Sequence, residues 1–499
     1  MKAQLSLCLC VTVQTLAAVT TQWPQFRGPN GAGIAEDARP PIYFGAETNL
    51  LWKTALPPGH SSPIVWDQRI FLTAFDRETK KLETICLDRG TGKVLWRRDA
   101  PAEQIEKVHT ISNPAASTPV TDGQSVYVYF GSFGLIAYDF SGSVRWQKPL
   151  PAAKTRFNHG TGTSPILAGD ALILDVHLDK ESHLLAVRCS DGETVWAIPK
   201  LRFNDGWSTP LVWSEADAEL VGVLNAGKFT AYDLPTGTER WWVRRLPNQI
   251  CATPVIGDGV IYLTGTGVFG ERTELIPPPD FDQAISRYDT NQDGRISTDE
   301  IPESLLLVDR KAAQAAGNMG LRESLLAGAT NSKSYNREEW AKEMKEFDEF
   351  ASSDLMKSTT CAVQTGGTGD VTKSHLVWTE AKGIPEVPSP LLYRNRLYYL
   401  KNGGVLLCRD PADGRVIFEE RLGAEGGYYA SPVAAAGRIY TASDRGVITV
   451  LQAGDRLHVV AQTDLKEAIM ATPVLMGSTL YVRSAGHLWA FTEKQPTKH

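Results

Sequence analysis

Most of the chain consists of short runs, about four to eight residues long, in which apolar and polar positions alternate between Gly, Asp, Asn or Pro turn signals. That is the pattern of half-buried β-strands. SPIVWDQRIFL, TPVIGDGVIYL, SPLLYRNRLYYL and TPVLMGSTLYV each read as strand, tight turn, strand. LETICLDRGTGKVLW, GLIAYDFSGSVRW, LLAVRCSDGETVW and KFTAYDLPTGTERW each supply two strands more.

The unit recurs. Pro63, Pro119, Pro165, Pro210, Pro254, Pro390, Pro432 and Pro473, each preceded by Ser or Thr, open eight units. They lie 41 to 56 residues apart, except for one interval of 136 residues between Pro254 and Pro390. Gly92, Gly142, Gly192 and Gly237 each stand four residues before Trp96, Trp146, Trp196 and Trp241. Four strands repeated at this period predict an all-β fold, an eight-bladed β-propeller, with the tryptophans as interblade packing. The last unit has only three strands. NLLWKT, at 49–54, reads as its fourth, and that pairing would close the ring without an open edge.

Within the long interval, from about 271 to 354, the period becomes helical, which predicts a small α-helical insertion in blade five. Asp280 and Gln283 are spaced as a capping box before a helix that carries Phe281, Ile285 and Tyr288 on one face. DTNQDGRISTDE follows and places oxygen ligands at the spacings of an EF-hand calcium loop. Asp289, Asn291 and Asp293 take positions 1, 3 and 5, the Arg295 carbonyl position 7, Ser297 position 9 through water, and Glu300 position 12. Gly294 allows the sharp turn, and Ile296 at position 8 should point inward and pair with a neighbouring loop. With three carboxylates the expectation is a calcium site of low affinity that is structural in role. A second hand aligns on Tyr335, with Asn336 and Glu339 as a capping box and Trp340, Met344 and Phe347 on one helical face. Its loop offers Gly328, Thr330, Ser332 and Lys333 in place of carboxylates and Gly, so a paired hand without metal is predicted.

Composition changes the picture little. With 42% apolar and 22% charged residues the chain can bury a large core, and a net charge of −6 without a basic run argues against nucleic acid as a partner. The apolar run 5–19 after Lys2 predicts a signal peptide over 1–20 and an extracytoplasmic protein. No later segment is apolar enough to span a membrane. Cys86, Cys189, Cys251, Cys361 and Cys408 remain, an odd number with no CxxC, and are read as core thiols.

The Ser/Thr-Pro openings and the Asp-x-x-x-Gly-x-x-x-Trp endings resemble the pyrroloquinoline-quinone-like (PQQ-like) propeller repeat family. That family includes periplasmic quinoprotein alcohol dehydrogenases and the outer-membrane-protein assembly lipoprotein BamB. The resemblance covers 49–271 and 357–495, and WPQFRGPNGAG is similar to the first segment of exported bacterial members. It implies a propeller over 23–271 and 357–495 with the EF-hand-like insertion at 272–356, located in the periplasm or elsewhere outside the cytoplasm, with the outer membrane as the candidate point of association. Its assembly-factor branch implies a monomeric, non-catalytic scaffold that binds envelope or secreted proteins. Its quinoprotein branch implies the alternative, a PQQ-dependent oxidoreductase with an axial pocket. The adjacent cysteine pair typical of that branch is missing, as are a CxxCH site and other catalytic motifs, so PQQ is not expected.

Six residues before the opening Pro stand Asn113, His159, Asn204, Asn248 and Glu467. This register should ring one mouth of the channel, together with His109, Asn158, Asp205, Trp207, Gln249, Tyr428 and Tyr429. Two readings of the set are open: loop-forming residues satisfied locally, or a recognition face for a peptide, glycan or small ligand.

Overall fold

A computed structural model of the chain describes residues 22–493 apart from 156–157, 179–181, 201–205, 216–217, 226, 245, 248–249, 267–272, 311–318, 323–324, 326–333 and 352–357. The expected signal segment 1–20 lies outside the described residues.

Eight sheets, each built on four antiparallel strands, form the eight-bladed propeller. Blade one runs from its inner strand Ile64–Trp66 through Arg69–Asp76 and Lys81–Asp88 to its outer strand Val94–Asp99. Blade eight contributes Val474–Met476, Thr479–Arg483 and His487–Thr492, and Leu50–Ala55 completes it. There Trp52 lies opposite Ala490, so the ring closes by pairing the two ends of the propeller, as the three-stranded last unit required.

The Gly-x-x-x-Trp spacing has an interblade cause. Each Trp ring lies over the turn glycine of the next blade, so that a Cβ at Gly92, Gly142 or Gly192 would stand 2.5, 2.8 or 2.6 Å from Trp52, Trp96 or Trp146. The indole N–H then donates to a carbonyl of that turn: Trp52 to Arg89 at 2.9 Å, Trp96 to Phe140 at 3.0 Å and Trp146 to Cys189 at 2.8 Å. Trp196 and Trp378 dock in the same way on Leu234 and Pro411. Trp241 departs from this arrangement. Its N–H faces Glu215, and the outer strand Glu239–Val243 is covered by Gly369–Asp370, which adds a parallel fifth strand to blade four. Cys86, Cys361 and Cys408 are buried thiols whose pKa burial pushes up to about 12, in keeping with a core role.

One feature was not legible in the strand pattern. Gln22–Trp23 pairs with the inner strand of blade one, and the following residues cross the channel. Gly33 and Ala35 then exchange backbone hydrogen bonds with Ala434 of blade seven at 2.8 and 2.9 Å. Trp23 is fully buried against Gly28, where both the φ of +69 and a Cβ position only 2.6 Å from the indole call for glycine. The channel is therefore stoppered on one side by this N-terminal segment.

The insertion leaves blade five after Val260–Gly265 and returns at Thr359–Gln364. Helix α1 (Phe281–Tyr288) is capped by Asp280, which accepts from the Gln283 amide at 2.8 Å. Helix α2 (Arg337–Ala351) follows the expected capping box, with reciprocal Asn336–Glu339 bonds of 2.9 and 2.8 Å. Ile296 pairs with Tyr335, and both are buried with Ala284, Ile301 and Trp340 in a separate small core. The segments that precede Glu300 and helix α2 are thus joined at the two positions expected to pair. The insertion also carries β-structure that was not expected: Thr273–Leu275, Leu306–Arg310 and Met319–Gly320 form a three-stranded sheet. After Glu300, Pro302 lacks the amide that a continuing helix needs, and the chain turns into the Leu306–Arg310 strand. The loop residues Gly328, Thr330, Ser332 and Lys333 lie outside the described residues. Among the described residues no helix is long and apolar enough to cross a membrane.

Candidate functional site

The residue before each opening proline builds the centre of the molecule. Ser62 donates its backbone N–H to the hydroxyl of Thr118 at 3.0 Å, Thr118 to Ser164 at 3.0 Å, Ser164 to Thr209 at 3.2 Å and Thr209 to Thr253 at 3.3 Å. The series continues from Thr253 to Ser389, Ser389 to Ser431 and Ser431 to Thr472, each at 3.0 Å, and closes from Thr472 to Ser62 at 3.1 Å. Proline has no N–H to offer, so the preceding residue carries the interblade bond, and only Ser or Thr supplies both the amide and the hydroxyl oxygen. The repeat marker read from the sequence is therefore a closed hydrogen-bonded girdle around the axis.

All eight hydroxyl residues line one cavity of about 660 Å³. Phe26 of the N-terminal segment borders this cavity and also a second one of about 520 Å³ on the other side, so it separates the two. The upper cavity is a cup. Its wall includes His60, Ile111, His159, Trp207, Glu386 and Tyr429, and both ends of the insertion, Thr266 and Ser358, reach it. The insertion thus leaves the propeller at the rim of the cup.

Of the expected recognition residues, His159, Trp207 and Tyr429 line the cup. Trp207 donates to the Gly160 carbonyl at 2.7 Å, His159 packs edge-on against its ring with centroids 5.5 Å apart, and His109 stacks behind His159 at 5.6 Å. Asn158 turns the chain with φ +53 just before His159. Asn113 is buried and accepts from the Ala115 amide at 2.8 Å, which makes it a turn-former. Tyr428 is fully buried, with its amide on Asn402. Glu467 accepts from Ser484 at 2.7 Å, stands 2.7 Å from His487 and faces Lys53 at 3.4 Å, so it ties blade eight together. Asn204, Asp205, Asn248 and Gln249 lie outside the described residues. The sequence register did not point to His60, Phe26 or Ile111, because none of them sits at the repeat position used to find the others.

Two guanidiniums are buried beside the girdle, and neither lines the cup itself. Arg27, fully buried beneath Phe26, donates to the carbonyl of Pro390 at 2.6 Å and to that of Ala32 at 3.2 Å, while its Nε and Nη1 have no partner. Arg483 donates to the carbonyl and hydroxyl of Ser61 at 2.9 and 2.6 Å, and its Nη2 has no partner. Burial alone pulls each guanidinium down to about 9, so both stay charged at neutral pH. Burial, with help from Arg483 and Arg77, lowers the pKa of His60 to about 4 and keeps it neutral. In the wall, Glu386 faces Asn402 at 3.5 Å and Lys401 faces Glu419 at 3.5 Å.

Two more charged groups are buried behind the rim. Glu106 accepts from the Thr161 amide at 3.0 Å and the Thr161 hydroxyl at 2.8 Å, and burial outweighs these bonds to push its carboxyl up to about 7. Inside blade three, Asp175 faces His177 at 2.8 Å and the Lys200 ammonium. Burial works against the Asp175 carboxylate, yet His177 and Lys200 hold it down at about 2.

The EF-hand-like loop has the backbone form its sequence demands. Gly294 adopts φ +75, the Asp289 carboxylate accepts from the amides of Asp293 and Gly294 at 3.2 and 3.0 Å, and Asp293 accepts from Arg295 at 2.8 Å. Burial raises the Glu300 carboxyl, but the amides of Ser297, Asn291 and Thr290 outweigh it and hold the pKa below the usual carboxylate range. Arg295 Nε donates to the hydroxyl of Ser334, ahead of helix α2, at 2.8 Å. The donors Asp289, Asn291, Asp293, Arg295, Ser297 and Glu300 are all oxygen donors, a set that fits a hard cation. Among the described residues no three His, Cys, Asp or Glu side chains are gathered into a preformed cage, here or at the cup. In the cup Glu386 is the one carboxylate among the described lining residues, so that donor set does not fit a metal-assisted quinone centre.

The sequence finds no match among curated proteins. Among solved structures it is similar to BamB from Moraxella catarrhalis, with a TM-score of 0.52 at 13% identity, covering 89% of this chain and 99% of that one. A europium-containing methanol dehydrogenase gives a TM-score of 0.57 at 9% identity, covering 95% and 98%. The quinohemoprotein alcohol dehydrogenase from Comamonas testosteroni gives 0.52 at 11%, covering 97% and 82%. At such identities the likeness shows the fold, and both functional branches share it. The family described as outer membrane protein assembly factor BamB matches residues 43–176 and 350–496, more than half of the sequence. The chain therefore belongs to this PQQ-like β-propeller repeat family.

Proposed function

We propose that the protein is an extracytoplasmic, non-catalytic scaffold that docks an envelope or secreted protein on the face where the axial cup opens. The observation that carries this reading is the cup itself, stoppered below by Phe26 and rimmed by His159, Trp207 and Tyr429. Aromatic side chains around a concave, partly polar centre suit an anchor residue from a partner, because they bury much area at little entropic cost. The BamB description of the family supports the assembly-factor branch, with a position in the periplasm near the outer membrane. The apolar run ahead of Trp23 supports export.

The insertion completes the proposal. Asp289, Asn291, Asp293, the Arg295 carbonyl, Ser297 and Glu300 hold a calcium ion when it is available, and the second hand supports the first through Ile296 and Tyr335. The ion would neutralise the crowded carboxylates of the loop and so stiffen the appendage at the rim.

The test is affinity capture from envelope extract by the wild type and by the triple variant His159→Ala, Trp207→Ala, Tyr429→Ala. The proposal expects a specific envelope protein with the wild type and at least a tenfold loss with the variant. Equal capture by both proteins would refute docking at the cup.

A further inference from the structure

We infer that the floor of the axial cup is an anion site that takes a carboxylate group. This deepens the reading of the cup as a binding surface and rests on it.

The girdle consists of eight hydroxyl side chains. Each hydroxyl oxygen accepts the N–H of the neighbouring blade, and none of the eight donates its own proton to a partner among the described residues. All eight are nearly buried, Thr209 the most open at 5% exposed. The floor thus presents a circle of O–H groups that face the cup and have no protein acceptor among the described residues. Hydroxyl oxygens would also serve a cation, so the surrounding charge decides which sign binds.

That charge is positive. Arg27 bonds the carbonyl of Pro390, the residue next to Ser389 of the girdle. Arg483 bonds Ser61, the residue next to Ser62. Between them these guanidiniums, which stand one residue behind the girdle and do not line the cup themselves, leave three buried N–H-bearing nitrogens without partners among the described residues. Neither has a carboxylate within ion-pair distance among the described residues, and burial is the one influence on the pKa of either. A buried charge of this kind is unfavourable until an opposite charge meets it. The wall carries one carboxylate, Glu386, which already faces Asn402. Hydroxyl donors around a carboxylate, with two cations close behind, make charge-assisted bonds of the stronger class.

Such a group has two sources, the C-terminal carboxylate of an extended partner segment or a free organic acid. The experiment separates them, using the full mature chain. Crystals soaked in bromide are expected to show anomalous density on the girdle hydroxyls, and crystals soaked in rubidium are expected to show none there. In solution, thermal stabilisation is read at constant ionic strength with succinate, with the tripeptide Gly-Gly-Phe, and with the neutral counterparts succinamide and Gly-Gly-Phe amide. Stabilisation by succinate or by the free peptide, with none from its amide, supports the site, and the more effective acid names the source. Arg27→Met should lose the response about tenfold. Should that variant fail to fold, the double variant Thr209→Val, Thr253→Val removes two donors at nearly constant shape and should weaken the response likewise. Rubidium on the girdle, or equal stabilisation by acids and amides, would overturn the inference. Neither outcome touches the docking proposal, whose capture experiment reads the rim residues.

Discussion

Interblade docking makes a quantitative prediction at Gly192. Its φ of +75 is a left-handed conformation, which disfavours alanine by roughly 1–2 kcal/mol. The added Cβ would lie 2.6 Å from the Trp146 ring, and relieving such overpacking costs typically about 1–3 kcal/mol. Moving the ring also disturbs the 2.8 Å bond from Trp146 to Cys189, worth about 1 kcal/mol. Replacing glycine returns about 0.5–1 kcal/mol through the unfolded chain, so Gly192→Ala should lose about 2–5 kcal/mol. Gly477→Ala is the control: its φ is +57, but no atom lies within 4 Å of the new Cβ, so only the backbone cost remains. For a chain of this length 1 kcal/mol moves the melting point by roughly 1 °C, so urea midpoints at matched slopes are the better assay. Equal losses in the two variants would refute the claim that the Trp–Gly contact joins the blades.

Other consequences follow from the buried charges and the calcium loop. Asp289→Ala with Glu300→Ala should abolish calcium-dependent stabilisation, which for the wild type at a hundredfold excess over Kd is about 2.7 kcal/mol; calorimetry with and without chelator reads it. For Glu106 the folded carboxyl titrates near 7 and the unfolded one near 4.5, so the folded state holds the extra proton between them and stability falls as pH rises through that window. The loss is on the order of 3 kcal/mol, and Glu106→Gln should flatten it in unfolding curves taken from pH 5 to 8. Asp175→Asn leaves the Lys200 ammonium buried without its counter-charge and should destabilise by about 3–5 kcal/mol in urea, whereas a loss below 1 kcal/mol would contradict the pairing.

The propeller was legible because its physical requirements repeat: a hydroxyl residue before proline for the girdle, and glycine four residues ahead of Trp for docking. The closing strand at Leu50–Ala55 followed from counting strands, and the pairing of Ile296 with Tyr335 from loop spacing. What escaped was whatever occurs once. Gln22–Trp23 is too short to show a period, and Arg27 reads as a surface residue until the channel closes around it. The sheet in the insertion was missed because its strands are two to five residues long and sit inside a helical pattern. The recognition set was half legible. The register found His159 at the cup, with Trp207 named beside it, but the same register at Asn113 serves a turn and at Glu467 serves blade eight, because identical loop positions in a ring meet different neighbours.

Docking at the cup is the central claim, and photo-crosslinking from a single position tests it most directly. A photoreactive residue is placed at Ile111, which lines the cup and is 49% exposed, and in a second protein at Val459, 37% exposed on the outer strand of blade seven. After irradiation in envelope extract, a discrete adduct with one envelope protein from position 111, and none from 459, is the predicted result. Adducts from 459 alone, or none from either position, would contradict the account.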